Sequence, residues 1–233
     1  MLTMTQFEAF SLLREIAKKP VLAQIGGFRP EEARMSWFGG HFYIDKEAGW
    51  PHDKDGPMIP VLQAYVPEIP GGIDGVGEAS LIQLFLNRKQ LPIYPVKNGE
   101  GWLLIEHQSV EELQLMETPE EARGLREFQI RWHKADSDDY PCWEEAWDYV
   151  DLTEVNEDED ASDQFFDEFG SYPQTKIGGY ASYIQSPVSL EDCQYIMQIG
   201  SEEKPRFMVG DNGTIYLFRS RSTGEWHMHW DCY

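Results

Sequence analysis

One pattern recurs in the two halves of this chain, and it limits the folds available more than any other feature. Phe38-Gly39-Gly40-His41 is followed by Val61-Leu62-Gln63-Ala64 and then by SLIQLFLNR over 80–88. Ile177-Gly178-Gly179-Tyr180 is followed by Ile196-Met197-Gln198-Ile199 and then by GTIYLFRSR over 213–221. From second glycine to glutamine the separation is 23 residues in one half and 19 in the other, and from glutamine to phenylalanine 22 and 20. Matched order and spacing predict two related β units, about 35–90 and 175–233, in a single domain over 1–233.

Each repeated piece has a local physical reason. Gly-Gly permits positive φ or a close backbone approach at a bend. A glutamine in an apolar strand must satisfy an amide, so Gln63 and Gln198 are expected to bond main chain or one another across the pseudo-axis; a ligand pocket at that junction stays open. Short apolar runs at 61–66, 80–86, 101–107, 127–133, 195–200, 213–219 and 225–233 read as strands. A capping box at Thr5 and Glu8 opens an N-terminal helix with Phe7, Phe10 and Leu13 on one face. Short helices are expected after Ser109, at Thr118-Pro119-Glu120-Glu121 and at Trp143-Glu144-Glu145. The fold class is α+β, rich in β structure, with peripheral helices.

The Gly-Gly bends, the paired glutamine strands, Trp50-Pro51, Gly210-Asp211-Asn212-Gly213 and Cys232-Tyr233 together make the sequence resemble the YwqG-like family, over roughly residues 35–88 and 175–233. That resemblance implies one β-rich fold of two similar halves and supplies no catalytic residues. Members of the family are found as immunity partners of secreted bacterial toxins, nuclease effectors among them. The resemblance therefore implies a partner of that kind here.

Between the repeats lies an insert, about 135–175, that contains no Lys or Arg and 15 Asp or Glu; the whole chain carries a net charge of −22. Such a segment repels phosphate and anionic lipid and attracts a basic protein, so nucleic acid and membrane are not expected as direct partners. Charge runs are most often solvated faces. This one is studded with rings: Tyr140, Trp143, Trp147, Tyr149, Phe165, Phe166, Phe169 and Tyr172. Rings for affinity beside charge for steering suit an interface, although each ring is equally able to serve a core. The expected partner-binding residues are Asp138, Asp139, Trp143, Glu144, Trp147, Asp148, Asp151, Glu154, Glu157, Asp158, Glu159 and Asp160.

Chemistry has few footholds. His227, His229 and Asp231 share one face of a terminal strand and make the best metal candidate, yet they lack further ligands, so no metal and no cofactor is expected. Gly75-Val76-Gly77 precedes a strand rather than a helix and cannot set a helix N-terminus on a phosphate. Three widely spaced cysteines, Cys142, Cys193 and Cys232, suit neither a disulfide framework nor a zinc site. With no signal-peptide pattern at the N-terminus, the expected location is the cytosol. The sequence thus predicts a non-enzymatic, immunity-type inhibitor that docks its acidic, aromatic insert on a basic toxin, with a nuclease the implied class. The alternative is a small-molecule or metal-binding domain, or an enzyme, with a pocket between the halves that uses Gln63, Gln198 and the strand of His227 and His229.

Overall fold

Ten strands form one antiparallel sheet in which the four outer strands on each side run inward in reverse chain order. The structure is a computed structural model that describes residues 4–29, 34–93 and 97–233. At the centre, β1 (Val21–Ile25) pairs with β10 (Phe128–Lys134). Outward from β10 run β2 (Trp37–Phe38), β6 (Ile59–Tyr65), β7 (Leu81–Leu86) and β8 (Trp102–His107); outward from β1 run β11 (Lys176–Ile177), β12 (Cys193–Gly200), β13 (Thr214–Ser220) and β14 (Trp226–Asp231). The repeat is therefore structural: β2, β6 and β7 hold the places in one half that β11, β12 and β13 hold in the other. The sheet curls until its edges nearly meet. Trp226 of β14 donates its indole N–H to Glu106 of β8 at 3.0 Å, and Lys97 bridges main chain with His227.

Strand alternation sorts the side chains between the two surfaces of the curled sheet. Leu62, Ile82, Leu84, Ile130, Met197, Ile215 and Leu217 point inward to one core shared by both halves. Outward-facing Phe85 is covered by Phe42, Ile44, Trp50 and Met58, and the hairpin of β3 (Phe42–Asp45) with β9 (Leu113–Met116) helps to close this cover. Outward-facing Tyr216 and Phe218 are covered by Ala181, Tyr183 and Leu190. Strands covered on both sides read as continuous apolar runs; β7 is buried at all six positions.

The glutamines bond main chain, each clamping the equivalent stretch of its own half. Gln63 accepts from the Tyr43 N–H at 2.9 Å and donates to Met35 O at 2.6 Å. Gln198 accepts from the Ser182 N–H at 2.9 Å and donates to the carbonyls of Tyr172, Pro173 and Gln174 at 3.0–3.1 Å. No bond crosses the pseudo-axis between them; Gln63 is linked instead to Gln83, and Gln83 to His107.

The sequence expectations need correction at several elements. The residues after Ser109 form a turn and then β9 rather than a helix, with Ser109 Oγ accepting from Glu111 N. Glu120–Ala122 is a single 3-10 turn. The N-terminal helix α1 (Gln6–Glu15) carries the expected capping box, but its buried face is Ala9, Phe10 and Leu13, and Phe7 is exposed. Two short strands, β4 (His52–Asp53) and β5 (Gly56–Pro57), form a separate hairpin. No helix of the described residues is long and apolar enough to cross a membrane.

Because each glutamine is fully buried and both accepts a backbone N–H and donates to backbone carbonyls, Gln63→Leu and Gln198→Leu should each lower unfolding stability by about 1–3 kcal/mol. Urea denaturation followed by tryptophan fluorescence reads this directly. A change below about 0.5 kcal/mol at both positions would show that the clamps carry no stability.

Candidate acidic interface and cleft

The insert folds into a small helical lobe with α1. It supplies α2 (Trp143–Ala146), α3 (Thr153–Glu157) and α4 (Glu159–Glu168). Asp158 caps α4 by accepting from the Ala161 N–H at 3.1 Å, and Asp151 accepts from the Thr153 N–H at 3.0 Å. Ala9, Phe10, Leu13, Ala146, Val150, Leu152, Val155, Ala161, Phe165 and Phe169 close on one another as a second core, separate from that of the sheet. Half of the insert's rings are thus spent on making the lobe. α3 and α4 were not foreseen, because their carboxylate-rich sequence masks an apolar stripe as narrow as Val155, Ala161, Phe165 and Phe169.

The lobe is fixed to the sheet by a fully buried ion pair. Asp139 receives the Lys176 ammonium on both carboxylate oxygens, at 2.9 and 2.8 Å, and both side chains are 0% exposed. Each oxygen also accepts a backbone N–H, Oδ1 from Tyr172 at 2.9 Å and Oδ2 from Tyr180 at 2.7 Å. Burial pulls the Lys176 ammonium down to about 8, while the paired carboxylate works against that fall. Asp139 was expected on the partner-binding surface; it is an internal anchor and leaves that set. Gly179, at φ +72°, brings its backbone so close that a Cβ there would strike the Asp139 carboxylate. That close approach accounts for Gly179; at Gly178 a Cβ would meet nothing, and only its positive φ of +69° favours glycine.

The remaining residues of the expected surface are exposed, except Trp143, which is half-buried. Asp138 forms an ion pair with Lys19 at 3.3 Å. Glu144, Asp148, Asp151, Glu154, Glu157, Asp158, Glu159 and Asp160 face solvent. Among them lies an open aromatic cluster: Trp147 is 40% and Phe166 62% exposed, and both rings pack on Trp143, with centroids 6.1 and 5.5 Å away.

Beside the lobe runs a cleft of about 1010 Å³. One wall is the α2 region, with Glu144, Glu145, Asp148 and Tyr149; the other is formed by Gly178–Ala181, Tyr183 and Tyr195 of the second half and by Gly71, Gly72 and Asp74 of the first. It borders both halves, but neither Gln63 nor Gln198 lines it. Lys18 reaches into it and sits 3.8 Å above the Tyr180 ring. Burial pushes the Glu145 carboxyl up to about 7, with the Lys18 ammonium opposing the rise. Its Oε2 is buried and has no hydrogen-bond partner among the described residues.

The metal candidate is not assembled. Asp231 is buried, accepting from the Tyr216 hydroxyl at 2.8 Å and the Gln185 N–H at 3.1 Å. His229 lies flat against Tyr216, and His227 belongs to the bridge with Lys97. No group of three or more His, Cys, Asp or Glu among the described residues could hold a metal ion.

Residues 36–223 match the family described as a domain of unknown function, DUF1963. The chain belongs to the DUF1963 family. No curated protein matches it. The DUF1963 match begins at the first repeat unit, runs through the insert and ends in the second, so it covers the strands of the main sheet other than β1 and β14, and the helices of the lobe other than α1.

The raised Glu145 carboxyl gives a signed expectation. The native state holds an extra proton between the ordinary carboxyl value of 4.5 and about 7. The stabilisation from this group is therefore complete below 4.5 and lost as pH rises through about 7. Glu145→Gln should leave stability near wild type at about pH 5 and raise it above wild type at about pH 8. Denaturation midpoints at the two pH values decide; equal shifts at both would mean that Glu145 titrates normally.

Proposed function

We propose that this DUF1963 protein is an immunity-type inhibitor that binds a basic toxin domain through its acidic helical lobe. The observation that carries the reading is the exposed Trp147–Phe166 cluster, seated on Trp143 in a segment with no cationic side chain. A lobe needed only for solubility would gain from its carboxylates but not from two large exposed rings, which cost solvation. A lobe built to bind gains from both, because carboxylates speed encounter and rings hold the complex. The resemblance to YwqG-like domains, some of which are immunity partners, points the same way. A nuclease fits as the target class, since a groove made for phosphate is basic and carboxylates can occupy it.

The test is stopped-flow association with the cognate toxin domain. The association rate should exceed the ~10⁵–10⁶ M⁻¹s⁻¹ of unsteered pairs and fall steeply with salt. Changing Glu154, Glu157 and Glu159 to Gln, with Asp160 to Asn, should slow association and flatten the salt dependence while leaving dissociation nearly unchanged; Asp158 is spared because it caps α4. Trp147→Ala should cost about 2 kcal/mol, roughly a 30-fold faster dissociation. If the acidic changes leave both the rate and its salt slope untouched, the lobe is not the steering surface.

A further inference from the structure

The cleft beside α2 has the chemistry of a cation receptor, with Lys18 already within electrostatic reach of Glu145. Among the described residues, none of Glu144, Glu145, Asp148 and Asp74 forms an ion pair within 4.0 Å. Of the cations that line the cleft, Lys18 is held over the Tyr180 ring, Lys19 is bonded to Asp138 and to Asp136 O, and Arg221 is bonded to Cys193 O; Lys134 also lies on the lining. Lys18 is an internal precedent, because the cleft already holds one ammonium against an aromatic face with carboxylates nearby. Glu145, which lines the cleft, adds a buried oxygen with no hydrogen-bond partner among the described residues. The cleft is also continuous with the aromatic cluster, since α2 and the turn after it carry Trp143 and Trp147 of the cluster together with Glu144, Glu145, Asp148 and Tyr149 of the cleft wall.

We infer that this cleft receives a lysine or arginine side chain from the bound partner, with Glu145 and Asp148 as its carboxylates and the Tyr149 ring as its wall. The inference rests on the lobe being the docking surface and names what that surface takes in. A guanidinium fits best. It is planar, offers five donors to two carboxylates and stacks on an aromatic ring.

Two arms test it, and the first needs no toxin. The blocked tripeptide acetyl-Gly-Arg-Gly-amide is titrated into the full chain at about pH 8, where Glu145 is charged, with amide shifts followed by NMR. Saturable shifts are expected at Gly178, Gly179 and Ala181. The Glu145→Gln/Asp148→Asn pair should weaken them roughly tenfold or more, whereas Glu154→Gln/Glu157→Gln should leave them unchanged. The matching citrulline peptide, neutral but of similar shape, should not bind. In the second arm the Glu145→Gln/Asp148→Asn pair should speed toxin dissociation roughly tenfold or more. Absence of saturable cleft shifts, equal binding of the citrulline peptide, or a toxin dissociation rate unmoved by the pair would each overturn the inference. Failure of the lobe reading looks different: Trp147→Ala and the distal acidic changes would then leave toxin kinetics unaltered, whatever the peptide does.

Discussion

The Asp139–Lys176 pair decides how the two parts of this molecule are joined. A lysine at the first residue of a two-residue strand would be an odd choice for an outward face that must be covered, because removing its charge from water costs several kcal/mol. Here the cost is offset by a carboxylate with all its directions used, two toward the ammonium and two toward backbone N–H groups on either side of β11. The pair therefore does more than neutralise. It fixes where the insert leaves the sheet, at Asp139, and where it returns, at Tyr172, and so it fixes the lobe and one wall of the cleft. An apolar pair of similar volume would fill the space equally well without specifying this register.

The first half solves the same geometric problem at lower stakes. Its Gly-Gly bend also receives a carboxylate, Glu127, which accepts from the His41 N–H at 3.2 Å, and a Cβ on Gly40 would collide with that side chain just as one on Gly179 would collide with Asp139. Glu127 is exposed, however, and has no buried lysine to meet, since Trp37 stands where Lys176 stands in the other half. The outer polar chain differs as well: Gln63, Gln83 and His107 are linked in one half, while Tyr216 and Asp231 take the places of Gln83 and His107 in the other. Two copies of one β unit keep the inward core in common and diverge on the outward face, where one is covered by a hairpin and the other borders the cleft.

What the sequence disclosed follows from which interactions are local. Repeat spacing, apolar runs and the capping box at Thr5 all express constraints between near neighbours, and the strands β6, β7, β8, β10, β12, β13 and β14 lie where those runs are. β1 was missed because VLAQI is short and follows a lysine-rich stop signal, although its place at the centre of the sheet depends on pairing with residues more than a hundred positions away. Asp139 was misread for a similar reason. In a run of carboxylates nothing local separates the one that finds a buried lysine 37 residues later from those that face water. The terminal histidines were grouped correctly by alternation, but alternation cannot show that Asp231 is already used by Tyr216.

The rings of the insert show how a lobe dominated by negative charge can hold a shape at all. Self-repulsion among its carboxylates opposes compaction, and a dense aromatic centre, with Arg14 of α1 laid against it, balances that term. Phe10, Phe165 and Phe169 form the centre, Phe10 edge to face with Phe169 and Phe165 tilted against it, and α1 brings Arg14 to Glu168 and over the Phe169 ring. With stability secured there, Trp143 can stand half-buried as a platform and leave Trp147 and Phe166 uncovered. The exposed rings pack on the half-buried Trp143, and an aromatic edge supported in this way loses less conformational freedom when it meets a partner. The acidic charge that makes this lobe hard to fold is, on this argument, the same charge that makes its exposed edge selective for a basic surface.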